Sequence, residues 1–141
     1  MRIIDADGHV NDRPCMEEIS RFMPPGNRTQ VFPAFDHIHF HFLEGGEKRS
    51  RTGTVGPKEW LDFLDETEIA WTAVYPTAGL AVGRIVAEDW AIAACRAYNN
   101  WLYEKFTSKN SRLNGMALLP IQDVEAAALE LMVAFSQCAR S

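Results

Sequence analysis

The run Arg112-Leu113-Asn114-Gly115-Met116-Ala117-Leu118-Leu119-Pro120 limits the fold more than any other stretch of the chain. A strand with one wet face alternates apolar and polar residues, whereas a nearly unbroken apolar run belongs to a parallel strand covered on both faces. Parallel strands need helical crossovers, and the sequence supplies them. Gly56-Pro57-Lys58-Glu59 opens a helix with proline at its first position, and Trp60, Phe63, Leu64 and Thr67 follow at helical spacing. Ala70 to Pro76 reads as a strand that the proline ends. Ala91, Cys95, Tyr98, Leu102 and Phe106 then make the buried stripe of a helix over 88–107, with Glu88 and Asp89 at its positive end. Asp123 can cap one more helix, whose stripe would be Val124, Ala128, Leu131, Phe135 and Cys138. With a strand at residues 1–10, the order is strand, helix, strand, helix, strand, helix. That is the α/β class, with parallel strands in the order one, two, three.

The opening segment Met1-Arg2-Ile3-Ile4-Asp5-Ala6-Asp7-Gly8-His9-Val10 is the chemically unusual strand. Alternation along a strand puts Asp5, Asp7 and His9 on one face and Ile4 and Ala6 on the other. Carboxylates and imidazoles facing a core need hydrogen bonds, opposite charge or a metal ion. Side chains two apart start roughly 6.6 Å from one another, so Asp7 and His9 can lean together onto one ion held about 2.0–2.2 Å from each. Gly8 between them allows close backbone approach or a bend. The spacing leaves two readings open, a metal pair or a turn-capping aspartate followed by an ordinary loop histidine.

Between this strand and Gly56 lies a long segment with Pro14, Pro24-Pro25-Gly26, Pro33 and Gly45-Gly46, which reads as an irregular loop over 11–56. Connections of that length are usually lids or substrate loops. Within it, Phe35-Asp36-His37-Ile38-His39-Phe40-His41-Phe42 alternates strictly, placing His37, His39 and His41 on one face. That face is either a metal or substrate surface or simply a wet one. A length of 141 residues suits one ordinary domain. Net charge of −5 with no basic stripe argues against a nucleic-acid partner. No apolar stretch approaches the ~18 residues of a membrane span, and Asp5 and Asp7 fall where a signal peptide would be apolar. Cys15, Cys95 and Cys138 form no CxxC pair, which fits reduced thiols and a cytoplasmic setting.

The opening Ile4-Asp5-Ala6-Asp7-Gly8-His9 resembles the first strand of the amidohydrolase-related enzymes, in the branch of aminocarboxymuconate-semialdehyde decarboxylase and the resorcylate decarboxylases. Trp60-Leu61-Asp62-Phe63-Leu64-Asp65, Tyr75-Pro76-Thr77-Ala78-Gly79-Leu80, Tyr98-Asn99-Asn100-Trp101-Leu102 and the stretch from Arg112-Leu113 to Gln122-Asp123 carry the likeness over nearly the whole chain. The resemblance implies a TIM-type (β/α)8 barrel with a divalent metal at its C-terminal mouth. A barrel of this kind takes about 250 residues, so residues 1–141 would supply the first three β/α units of a single domain. The first two family ligands are an H-x-H pair, which matches Asp7 and His9 here with Asp in the first place. The resemblance implies zinc first, and a carboxylate in place of an imidazole makes the site harder, which leaves manganese or another divalent ion open beside it. The remaining family ligands and acid–base groups fall beyond residue 141. His39, Thr77 and Leu80 are placed at the mouth as candidate substrate contacts, a role that for each competes with a solvent-facing, capping or packing role.

The function implied is a metal-dependent decarboxylase or hydrolase acting on a small carboxylated, aromatic-derived molecule. Two alternatives stand beside it. One is a non-catalytic fragment of such an enzyme, and the other is a metal-binding module built on His37, His39 and His41. A homo-oligomer is compatible with either, because two chains could complete a site that one chain leaves open.

Overall fold

The computed structural model describes residues 2–26, 31–32 and 55–138, the last by its backbone alone. Three strands form one parallel sheet in the order β1-β2-β3, with β1 at Ile3–Val10, β2 at Ile69–Pro76 and β3 at Leu113–Gly115. The expected strand order and direction are therefore present. Four α-helices stand among the described residues: α1 (Met16–Ser20), α2 (Pro57–Glu66), α3 (Glu88–Leu102) and α4 (Val124–Cys138).

Helix α3 carries the core. Its predicted stripe is buried throughout: Ala91, Cys95 and Tyr98 are fully covered, Leu102 nearly so, and Phe106 follows in a π-helical turn over Tyr103–Thr107. These side chains meet Val10, Val74 and Leu113 from the three strands, with Ile19, Leu64 and Ile85 closing the sides. Burial pushes the Cys95 thiol up to about 12, as befits a small core residue rather than a reactive one. Helix α2 begins as its sequence implies, with Glu59 Oε2 accepting the Gly56 N–H at 2.9 Å. It ends at Glu66, and two residues on Glu68 takes the left-handed conformation (φ 55°) usual just past a helix.

Four expectations need correction. The segment after β1 is not wholly irregular, because Arg13–Cys15 and α1 form a short helical run. Pro14 sits in its first turn, where the missing N–H costs nothing, so the proline starts a helix rather than breaking one. The third strand is shorter than the apolar run: after Met116 N–H bonds to Val74 O, the chain leaves the sheet. Asn99 captures it there, its Nδ2 donating to Leu118 O at 2.9 Å and its Oδ1 accepting the Leu118 N–H at 2.8 Å.

The stripe of α4 is turned the other way. Val124 is 83% exposed and Phe135 75%, while Ala126 and Glu130 are buried. Glu130 accepts from Asn99 Nδ2 at 2.9 Å and lies 3.4 Å from Arg96 Nε. A buried carboxylate with two partners thus anchors the helix by its polar side. The apolar stripe is left facing outward.

The last correction concerns the faces of β1. A bulge between Asp5 and Gly8 sets Asp5 opposite Thr72 and Gly8 opposite Val74, so strict alternation fails there. Asp5 shares a face with Gly8, not with His9. Ile4 is 48% exposed rather than under helical cover.

Candidate functional site

The C-terminal ends of β1 and β2 bring together Asp7, His9, Tyr75 and Thr77. His9 pairs in register with Tyr75, and their rings lie 5.9 Å apart at 32°. The neighbouring residues Gly8 and Val10 face the core, so His9 faces away from the helices. His9 Nε2 is 3.7 Å from Asp7 Oδ1. Its other nitrogen, Nδ1, is 3.4 Å from Thr77 Oγ1, and the Thr77 hydroxyl donates to Val10 O at 2.8 Å.

The bulge that displaces Asp5 also supports this pair. Asp5 Oδ1 accepts the Asp7 N–H at 3.1 Å, and Asp5 Oδ2 accepts from the buried Thr72 hydroxyl at 2.8 Å. Asp5 therefore acts as a bracket for the backbone from which Asp7 projects. Asp7 itself is almost fully exposed, at 92% of its side chain, and is free to turn.

Two donors bound to one ion at about 2.1 Å, at angles between octahedral and tetrahedral, stand roughly 3.0–3.4 Å apart. A small rotation of the exposed Asp7 brings the observed 3.7 Å into that range, so the pair fits a divalent ion. Among the described residues no group of three His, Cys, Asp or Glu side chains could hold a metal ion.

Asp12, which the sequence reading missed, ties the two loops together behind the pair. It is fully buried, and its carboxylate accepts the N–H groups of Ala78 at 2.5 Å and Gly79 at 2.9 Å. Burial pushes its carboxyl above the ordinary 3.8, while those N–H groups pull the other way. Nothing in the local sequence marks Asp12 apart from its place just after the strand. Thr77, which immediately precedes Ala78, is held in place by this clamp. Leu80 follows in the 3-10 run Ala78–Arg84 and is 55% exposed. The strand predicted over 35–42, with His37, His39 and His41, lies outside the described residues.

A larger groove, about 590 Å3, lies on the helical side between Glu18, Arg21, Phe22, Trp101, Lys105 and Lys109. It holds none of Asp7, His9, Asp12, Tyr75, Thr77 and Leu80. Glu18 there is already engaged by Lys105 Nζ at 2.5 Å and Trp101 Nε1 at 3.0 Å, so its charge is spent within the protein.

Three parallel strands with helical connections, and polar groups gathered at the strands' C-terminal ends, make this an α/β domain. No protein-family model and no curated protein matches the chain. Among solved structures, it is similar to the dihydroxybenzoic acid decarboxylase of Polaromonas sp. JS666, determined with bound manganese and the inhibitor 2-nitroresorcinol. The two superpose with a TM-score of 0.62 at 23% identity, over 99% of this chain and 36% of that one. Likeness at this identity bears on the fold alone, a mixed α/β arrangement with a three-stranded parallel sheet that is consistent with part of a TIM-type barrel. The chain spans little more than a third of the length of that structure. Among the described residues no helix is long and apolar enough to cross a membrane.

Proposed function

We propose that this chain forms the first three β/α units of a metal-dependent enzyme of the amidohydrolase-related kind, which removes carbon dioxide from a small aromatic carboxylate. The observation that carries this reading is the approach of Asp7 Oδ1 and His9 Nε2 to 3.7 Å at the end of β1. The manganese and the resorcinol-type inhibitor in the structurally similar decarboxylase support it. They also favour manganese over the zinc expected first, and a carboxylate–imidazole pair accepts either. Hydrolysis is the alternative chemistry for the same site.

Asp7 and His9 would hold the ion, which would supply a Lewis acid able to polarise and orient an oxygen-bearing substrate. Tyr75, stacked near His9, offers an aromatic wall to one side of the site, and Thr77 offers a loop hydroxyl beside it. Among the described residues Asp7 and His9 are two ligands where catalytic sites use at least three, so weak metal binding and no turnover are expected of the isolated chain.

Titrating manganese and zinc into the purified chain, its Asp7→Ala variant and its His9→Ala variant tests the proposal, with carbon dioxide release from hydroxybenzoate acids as the second readout. The expected result is weak binding that either substitution abolishes, with no turnover by any of the three proteins. Binding that survives both substitutions would place the metal elsewhere and overturn the assignment. Stoichiometric submicromolar binding by a monomer, or release that His9→Ala removes, would show that the chain is sufficient by itself.

A further inference from the structure

We propose that Thr77 is a positioning residue that fixes the tautomer of His9, so that Nδ1 carries the proton and Nε2 presents its lone pair beside Asp7. A threonine hydroxyl has one proton to give. That proton goes to Val10 O, at 2.8 Å, which is the shorter of the two Thr77 contacts. Toward His9 Nδ1, at 3.4 Å, the hydroxyl oxygen can then act only as an acceptor. The imidazole meets it favourably only with hydrogen on Nδ1. In a neutral ring this leaves Nε2 as the unprotonated nitrogen, the one lying 3.7 Å from Asp7.

The arrangement is held from behind. Asp12 grips the N–H groups of Ala78 and Gly79, immediately after Thr77, and is itself fully buried. Thr77 Oγ1 is tied to the end of β1 through Val10 O and therefore cannot rotate away without losing that bond. The orienting partner of a metal-binding histidine is commonly a carbonyl or carboxylate, and here a hydroxyl takes that part. The inference rests on the metal reading for its purpose but not for its test.

The test uses the full chain, free of metal, with 15N-labelled histidine, observed by NMR near pH 8. His9 is assigned by its loss in His9→Gln. The wild-type chain should show His9 predominantly protonated on Nδ1. Thr77→Val should shift it toward Nε2–H, the form an unrestrained imidazole prefers, and Thr77→Ser should keep the wild-type pattern. Manganese affinity should fall about tenfold in Thr77→Val and stay within about twofold in Thr77→Ser. A wild-type His9 protonated mainly on Nε2 overturns the proposal, and this reading needs no variant to fold. A Thr77→Val chain with an unchanged tautomer overturns it as well. If the tautomer follows Thr77 but no metal binds, the positioning role stands and the metal reading falls. If metal binds at Asp7 and His9 with no response to Thr77→Val, the positioning role falls and the metal reading stands.

Discussion

Gly8→Ala is the perturbation that most directly probes how β1 is seated. A Cβ on Gly8 would stand 2.3 Å from Thr72 Oγ1, 2.8 Å from Ala73 O and 3.0 Å from Asp5 Oδ2. The first of these can yield by rotation of the threonine, at the expense of its bond to Asp5. The second cannot, because a carbonyl in a paired strand moves only with the strand. Overpacking of this kind costs about 1–3 kcal/mol, and losing a hydrogen bond to a charged acceptor costs about 1.5–3 kcal/mol. The two share one displacement and do not add fully, so a loss of about 3 kcal/mol is expected. Against a total stability of about 5–15 kcal/mol for a domain, that is a large fraction. Urea unfolding followed by circular dichroism measures it. Thr72→Ala in the same chain should recover only part of the loss, since the Ala73 carbonyl remains in the way. A Gly8→Ala chain within about 1 kcal/mol of the wild type would refute the close packing of β1 on β2, and with it the bulge that orients Asp7.

Asn99→Ala should destabilise by about 2–4 kcal/mol in the same assay, because it strands both backbone groups of Leu118 and one partner of the buried Glu130. Glu68→Gly should stabilise by about 0.5–1 kcal/mol, since Glu68 occupies a left-handed conformation that glycine takes without strain. For Asp12, burial raises the folded carboxyl above the 3.8 of the unfolded chain, so the folded state binds the proton more tightly. Its contribution is fully present below 3.8 and is lost as pH climbs through the raised value. Asp12→Asn should flatten that slope in unfolding midpoints measured across acidic pH, and an unchanged slope would assign it to other groups.

Much of the fold is legible from apolar periodicity alone, wherever one face of an element must be dry. The stripe of α3 at Ala91, Cys95, Tyr98, Leu102 and Phe106 is read correctly because the sheet and two other helices cover it. The same rule misleads at α4. Its apolar positions are as regular, but α4 docks through Glu130, Asn99 and Arg96, and a pattern cannot show which face finds a partner. In β3 the apolar run is longer than the strand because a helix side chain, Asn99, competes for the backbone at Leu118. Asparagine offers a donor and an acceptor together, so it can stand in for a neighbouring strand, and only the folded arrangement shows where.

The site is legible in part for a related reason. Spacing alone leaves a metal pair and a capping aspartate with a loop histidine open; Asp7 lies within the bulge, yet its carboxylate still comes to 3.7 Å from His9 Nε2. Asp5 is misplaced because alternation assumes one residue for one along the paired strands, and the bulge inserts an extra residue between Asp5 and Gly8. The displaced carboxylate is then used locally, accepting from Thr72 and from the Asp7 backbone. This has a consequence for the metal reading. If Asp5 had faced His9, β1 alone would have offered three donors, enough for a tight site on one strand. With Asp5 turned to the core side, β1 offers two, and a competent centre must draw its further ligands from other residues. A metal site divided in this way depends on how strands are brought together. Gly8, packed closely on Thr72 and Ala73, and Asp12, which holds the Ala78 and Gly79 N–H groups, set β1 against β2 and its loop.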